Sequence, residues 1–201
     1  RTELEVAQRT AAPGDWPAVA ERLLDEEARL EAVIGDLLLL ASLDEGAAGA
    51  EHTNVDLAEV LEEEARRVSA SSGIPVEVEA TAPVIVHGSR VQLRRAVANL
   101  LDNATRHARA GVRITAHERD GRARVLVDDD GPGIPEAERQ RVFERFTRLD
   151  EHRARGTSTG GAGLGLSLVQ RIAELHHGTA VIDTAPLGGA RVVLDLPSVA
   201  G

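Results

Sequence analysis

The sequence predicts an α+β domain preceded by an α-helical hairpin. Three features carry that reading. Apolar residues from Trp16 to Leu40 recur at alternating steps of three and four, with Glu26 the one charged interruption. A small, polar stretch from Gly46 to Asn54 then reads as a linker. Beyond it, helix-period and strand-period segments follow one another with strands adjacent in sequence, which disfavours a strictly alternating parallel fold. The expected domains are residues 1–46 and 53–198.

Arg1 to Ala11 reads as a helix that lacks a start signal, and Pro13, Gly14 and Asp15 as a turn. A long helix follows to about Asp44. Trp16, Val19, Leu23, Leu30, Val33, Leu37 and Leu40 line one stripe of it, with Glu26 the charged interruption. That stripe fits a coiled-coil or bundle seam, and it also fits an ordinary amphipathic helix. Asp56 and Glu59 have capping-box spacing and open a helix with Leu57, Val60, Leu61, Ala65 and Val68 on its apolar face. Ile74 to Ala80 and Val84 to Val86 read as strands. Ser89 and Gln92 form a second capping box, opening a helix to about His107. Val112–His117 and Arg122–Asp128 form a hairpin at Asp120-Gly121. A short helix at Pro135–Phe143, a loop at Arg148–Gly163 and a helix at Leu164–His176 come next, with Gly178 just past the helix end. Val181–Thr184 and Arg191–Leu196 close the chain as a hairpin around Gly188-Gly189.

Composition narrows the chemistry. Apolar residues make up 42% of the 201, enough for a real core. The aromatic residues are Phe143, Phe146 and Trp16, so aromatic platforms for base stacking are missing. A formal charge of −10 argues against general nucleic-acid binding but leaves room for a small phosphate ligand held locally. Every basic residue is Arg, a compositional bias rather than a functional signal. With no Cys, thiolate catalysis and zinc-thiolate sites are excluded. No apolar run reaches the length of a membrane span, so a soluble, cytoplasmic piece is expected.

Three motifs carry chemistry. In the helix from Ser89 to His107, Leu93, Val97, Leu100, Leu101 and Ala104 share one face at ~100° per residue. Asn99, Asn103 and Arg106 share another. Asn is poor inside helices, so two in line with an Arg suggest a purpose: an amide oxygen suits Mg²⁺ and a guanidinium suits phosphate. The same face also reads as plain solvated surface. Asp129-Asp130-Gly131-Pro132-Gly133-Ile134 follows a strand directly; it can present a carboxylate to an exocyclic amine with room for a base, or be an acidic turn. Gly160-Gly161-Ala162-Gly163-Leu164-Gly165-Leu166 opens a helix whose first amides would suit phosphate. It is neither a Walker loop, for want of a following Gly-Lys-Ser/Thr, nor a dinucleotide fingerprint, for want of a preceding strand.

Taken in order, Asn99-Leu100-Leu101-Asp102-Asn103-Ala104, the Asp-x-Gly-x-Gly stretch, Phe143-Glu144-Arg145-Phe146 and Gly163-Leu164-Gly165-Leu166 resemble the N, G1, F and G2 boxes of sensor histidine kinases. That family shares the Bergerat ATP-binding fold with type II topoisomerases and certain heat-shock chaperones. The resemblance covers about Asn54 to Pro197 and, more loosely, the hairpin before it. It implies a two-layer α/β sandwich, ATP or ADP as ligand, and Mg²⁺ bridging the phosphates.

Residue by residue, the resemblance implies that Asn103 holds the metal, and that Asn99 contacts phosphate or metal-bound water. Arg106 would meet phosphate oxygens, and His107 sits where an aromatic often lies near the nucleotide. Asp129 would accept from the adenine amine, with Gly131, Gly133 and Ile134 around the base. Arg148 would reach the γ-phosphate; Asn99, Arg106 and Arg148 are thus the catalytic candidates. Residues from about Thr147 to Ala162 would form a mobile lid, hinged at Gly161, Gly163, Leu164, Gly165 and Leu166. The implied reaction passes the γ-phosphoryl of Mg-ATP to a stalk histidine, then to an Asp of a response-regulator receiver domain. The parent would be a homodimer through its stalk, anchored in the bacterial inner membrane.

Three departures stand out. Ser89 replaces the usual Asp after Gly88, and Ala190 stands where a Thr often supports the adenine-binding Asp. The family's His-Glu/Asp-Leu-Arg-Thr/Ser-Pro motif follows none of the seven histidines, so the acceptor is expected upstream and dimerisation weakened. Competing readings are a serine kinase of the anti-sigma-factor type, which normally lacks a long hairpin; a non-catalytic nucleotide sensor; and a helical scaffold, which leaves the glycine motifs unexplained.

Overall fold

The computed structural model describes residues 16–44, 51–80, 82–147 and 163–199. The predicted first helix, Arg1–Ala11, and the Pro13-Gly14-Asp15 turn lie outside these. The chain divides into two units, Arg1–Leu39 and Leu40–Gly201. Helix α1 covers Trp16–Asp44. On its predicted stripe Leu30 and Leu37 are exposed, as are the neighbouring Leu24, Ile34 and Leu38.

The second unit begins with β1 (Thr53–Asp56), a strand that falls partly in the expected linker. It pairs antiparallel with β3 (Ile85–Gly88) to make a two-stranded sheet. Helix α2 (Leu57–Ser72) starts where Asp56 Oδ1 accepts from the Ala58 amide at 2.9 Å. It ends at Gly73, whose φ of 70° supplies the left-handed turn of a helix C-terminus. Strand β2 (Val76–Glu79) precedes β3. Helix α3 (Arg90–His107) follows, with Ser89 Oγ accepting from the Gln92 amide at 3.4 Å. Ser89 thus caps the helix in the place of the usual Asp.

Strands β4 (Val112–Arg119) and β5 (Arg122–Asp129) form the expected hairpin, with Asp120 and Gly121 both at positive φ in the turn. The predicted short helix at Pro135–Phe143 is instead two 3₁₀ turns, Glu136–Glu138 and Arg141–Phe143. So few residues between a proline and a buried Phe143 close single turns rather than a regular helix. Helix α4 (Gly165–Leu175), β6 (Thr179–Thr184) and β7 (Ala190–Pro197) complete the unit.

The main sheet has the order β2-β4-β5-β7-β6, with β2 parallel to β4 and the remaining pairs antiparallel. Alternation sends Val112, Ile114, Ala116, Val125, Val127, Val192, Leu194 and Leu196 to one buried face. Register puts Ile114 beside Val127 and Val127 beside Val192, so the buried row runs across three strands. Helices α2, α3 and α4 cover that face and touch one another in chain order. Their apolar stripes (Leu57 and Leu61; Leu93, Leu100 and Leu101; Leu168 and Ile172) are almost wholly buried. The result is the two-layer α/β sandwich implied by the resemblance. The opposite face carries ion pairs, among them Arg191 gripping Asp128 through two bonds of 2.6 Å.

Candidate functional site

Burying the apolar face of α3 turns its polar face outward. Asn99 and Asn103 are part-exposed and Arg106 is exposed. The Asn99 amide nitrogen donates to the Arg95 carbonyl at 3.2 Å. That bond leaves Oδ1 pointing toward the start of α4, where a Cβ built on Gly165 would lie 3.0 Å from it. Gly165 therefore lets the Asn-bearing helix and the glycine-led helix meet closely. Leu164 is buried, while Gly165 and Leu166 are part-exposed. No side chain caps the N-terminus of α4, so its first amides can serve an anionic ligand.

At the end of β5, Asp129 is 4% exposed. Its Oδ1 accepts from the amides of Gly131 at 2.8 Å and Ala190 at 3.1 Å. Both bonds fall on one oxygen, so Oδ2 remains for a further donor. Burial pushes this carboxyl above the usual Asp range; the two amide bonds oppose that push and the charges of Asp130 and Asp128 add to it. The support expected from a Thr side chain thus comes here from the Ala190 main chain, which needs no hydroxyl.

Sequence alone marks Gly189 as hairpin chemistry, and the structure also sets this glycine against Asp129. A Cβ there would lie 2.2 Å from Asp129 Oδ1, 2.3 Å from its carbonyl oxygen and 2.6 Å from the Gly131 nitrogen. Gly131 itself must be small, because its Cβ would meet the His107 carbonyl at 2.5 Å and Asp129 Oδ1 at 2.9 Å. Gly133 takes a φ of 75°. Ile134 is part-exposed and its carbonyl accepts from Arg139 Nε at 3.4 Å. Arg139 also donates to Thr184 Oγ1 at 2.7 Å, tying this loop to β6.

Phe143 is buried and Phe146 is 64% exposed. Phe146 adopts φ 64°, and its amide donates to the Gly163 carbonyl at 2.9 Å. A Cβ on Gly163 would lie 2.9 Å from both Phe146 and Thr147 main-chain atoms. The two ends of the predicted lid therefore meet in one clasp. Arg148, Gly161 and the rest of that lid after Thr147 lie outside the described residues.

In sequence, His176 is simply the last residue of the expected Leu164–His176 helix. In the structure its Nε2 accepts from the Ser89 amide at 3.1 Å and its Nδ1 donates to the Ile172 carbonyl at 2.8 Å. It thereby joins the end of α4 to the cap of α3, with His52 stacked on its ring. Its ring leaves no space for a side chain at Gly88.

Comparison with known proteins agrees with this geometry. Residues 88–200 match the family described as histidine kinase-, DNA gyrase B- and HSP90-like ATPases. The sensor-type histidine kinase PrrB of Mycobacterium tuberculosis (strain H37Rv) is 36% identical over 200 residues, covering 98% of this chain and 44% of that protein. The signal transduction histidine-protein kinase BaeS of Escherichia coli K12 is 33% identical over 186 residues, covering 90% of this chain and 39% of that protein. The chain thus spans less than half the length of the curated relatives it matches. The crystal structure of the ATP-binding domain of PrrB from Mycobacterium tuberculosis superposes with a TM-score of 0.63 at 35% identity, covering 75% of this chain and 99% of that one. Among the described residues no helix is long and apolar enough to cross a membrane. A buried Asp at a strand end, flanked by obligatory glycines and set beside an Asn-bearing helix, is thus found in a chain that belongs to the histidine kinase-, DNA gyrase B- and HSP90-like ATPase family, as the ATP-binding catalytic region of a sensor histidine kinase.

Proposed function

We propose that this region binds Mg-ATP and passes its γ-phosphoryl group to a histidine of the longer protein. The observation that carries the reading is Asp129: one carboxylate oxygen is pinned by two main-chain amides and the other is left for the adenine amine. Asn99, Asn103 and Arg106 lie on the helix whose end touches Gly131, so base and phosphates can be met from adjoining elements.

Among the described residues no group of three or more His, Cys, Asp or Glu could cage a metal. An amide oxygen such as that of Asn103 suits Mg²⁺ carried mainly on phosphates and water, so the donor set fits that ion. Bound there, Mg²⁺ would supply charge neutralisation at the phosphates. The chain's own part would be positioning: Asn99 would meet phosphate or metal-bound water, Arg106 would meet phosphate oxygens, and the first amides of α4, with Gly163, Leu164, Gly165 and Leu166, would line the phosphate side. The family resemblance gives Arg148 and Gly161, outside the described residues, the same phosphate roles. His107 lies near the nucleotide, and Gly131, Gly133 and Ile134 frame the base.

We assign residues 1–46 to a stalk hairpin and 53–198 to the ATP-binding domain. The exposed Leu24, Leu30, Ile34, Leu37 and Leu38 of α1 support helix–helix association of two copies in the longer protein. Relay to a receiver-domain Asp, a cytoplasmic location and an inner-membrane anchor follow from the same reading. None of the seven histidines is followed by the acceptor pattern, so the acceptor lies outside these 201 residues. Incubation with γ-labelled ATP tests this. The 201 residues alone should gain no acid-labile phosphate, and a longer chain with the acceptor should gain it. Acid-labile label on the 201 residues alone would contradict the reading.

A further inference from the structure

Asp130, next to the base-facing Asp129, faces another way. Its carboxylate accepts from three successive main-chain amides just beyond α3: Arg109 at 2.7 Å, Ala110 at 2.9 Å and Gly111 at 3.5 Å. Both oxygens take part, Oδ1 toward Arg109 and Gly111 and Oδ2 toward Ala110. These bonds hold the carboxyl below the usual Asp range, so it is ionised at neutral pH and its amide contacts are charge-assisted. From the other side, the Cα of Gly131 lies against the His107 carbonyl, with no space between them for a methyl group. The two residues that follow Asp129 thus hold the end of α3 together: Gly131 lies against its last residue, and Asp130 ties down the segment that leaves it. Asn103 and Arg106 stand on the final turns of that helix.

We propose that Asp130 is a positioning residue that fixes the span between the base acceptor Asp129 and the phosphate- and metal-facing end of α3. Asp130 touches no ligand in this account; with both oxygens on amides it acts through the helix end. Its loss would let the end of α3 drift relative to Asp129. Each half of the nucleotide could still be met, but the two could no longer be met in the right register. The assignment rests on the ATP reading above.

The test compares Mg-ATP with adenosine, which keeps the base contact and lacks the phosphates, by titration of the 201-residue chain and its variants. In Asp130→Ala the Mg-ATP dissociation constant should rise by about tenfold to about a hundredfold, while that of adenosine stays within about twofold. Asp130→Asn keeps one acceptor oxygen but loses the charge and turns an NH2 donor toward an N–H, so it should recover only part of the loss. Should Asp130→Ala fail to fold, Asp130→Ser, with a single short acceptor, decides: it should show the same split in smaller measure. A wild-type ratio of the two constants in Asp130→Ala or Asp130→Ser would overturn the proposal. So would a parallel loss of both ligands, the mark of a merely structural role. A wild-type chain that bound neither ligand would instead overturn the ATP reading, and this assignment with it.

Discussion

Replacing Gly189 by Ala adds one methyl group at the most crowded point of the site. Its Cβ would lie 2.2 Å from Asp129 Oδ1 and 2.3 Å from the Asp129 carbonyl oxygen. Ordinary contact begins at 3.4 Å, so the carboxylate must retreat by about 1.2 Å or the β6–β7 turn must lift by as much. Either movement stretches the Ala190 bond to Oδ1, now 3.1 Å, and re-aims Oδ2. A hydrogen bond to a charged group contributes about 1.5–3 kcal/mol. Losing it to adenine should therefore weaken ATP binding by about tenfold to over about a hundredfold. Inosine triphosphate lacks the exocyclic amine and never makes that bond, so its affinity should change far less. Competition titrations with both nucleotides measure the effect as a ratio that cancels general damage. Gly188→Ala is the control. It has open space around it but a φ of 92°, so it should cost about 1–2 kcal/mol of stability and leave base preference alone. Gly189→Ala with a wild-type preference for ATP over inosine triphosphate would refute the reasoning.

Other outcomes follow from the same geometry. Because burial raises the pKa of Asp129, ATP affinity should fall on acidification from a higher pH than an ordinary Asp would give, as calorimetry across the acid range would show. Asp129→Asn removes the buried charge but turns a donor toward the adenine amine, so it should raise the melting temperature while lowering ATP affinity; a variant that lost both would contradict the assignment. His176 is held neutral, with its pKa lowered chiefly by burial and further by His52 and His177, against the opposing Ile172 carbonyl. The unfolded chain takes up a proton below pH 6.5 that the folded chain refuses. Stability should therefore be level above that pH and fall as pH drops from it toward the folded pKa, in denaturant titrations; His176→Phe should flatten that fall. Leu101→Ala, at a fully buried position of α3, should cost about 2–5 kcal/mol in urea unfolding.

Local chemistry made much of this legible from sequence. Ser89 and Asp56 announce their helices because a cap is settled within three residues. Ser89 accepts from the Gln92 amide as expected, whereas Asp56 accepts from Ala58 instead of Glu59, and the Ser89 amide goes to His176 instead of the Gln92 side chain. The apolar stripe of α3 fixed which way Asn99, Asn103 and Arg106 had to face, and burial of Leu93, Leu100 and Leu101 agrees. What escaped depends on contacts distant in the chain. Strand β1 has four residues with only Val55 buried, and it exists because β3 lies alongside, about thirty positions later. Gly189 looked like one half of a turn; its role arises from Asp129, 60 residues earlier, and no local pattern records that approach. A glycine just before a strand that pairs with the Asp-bearing strand was the one available signal. The His176 bond to Ser89 spans 87 residues and was equally invisible.

The central claim is that α3 and the Asp129 loop form one Mg-ATP site. Calorimetric titration of the wild-type chain and Asn103→Ala with ATP, in the presence and absence of Mg²⁺, tests it most directly. The account predicts that Mg²⁺ strengthens ATP binding to the wild-type chain. It predicts that Asn103→Ala loses that gain while keeping its fold and the Mg²⁺-free affinity. A variant whose affinity still rose with Mg²⁺ as in the wild type would contradict it.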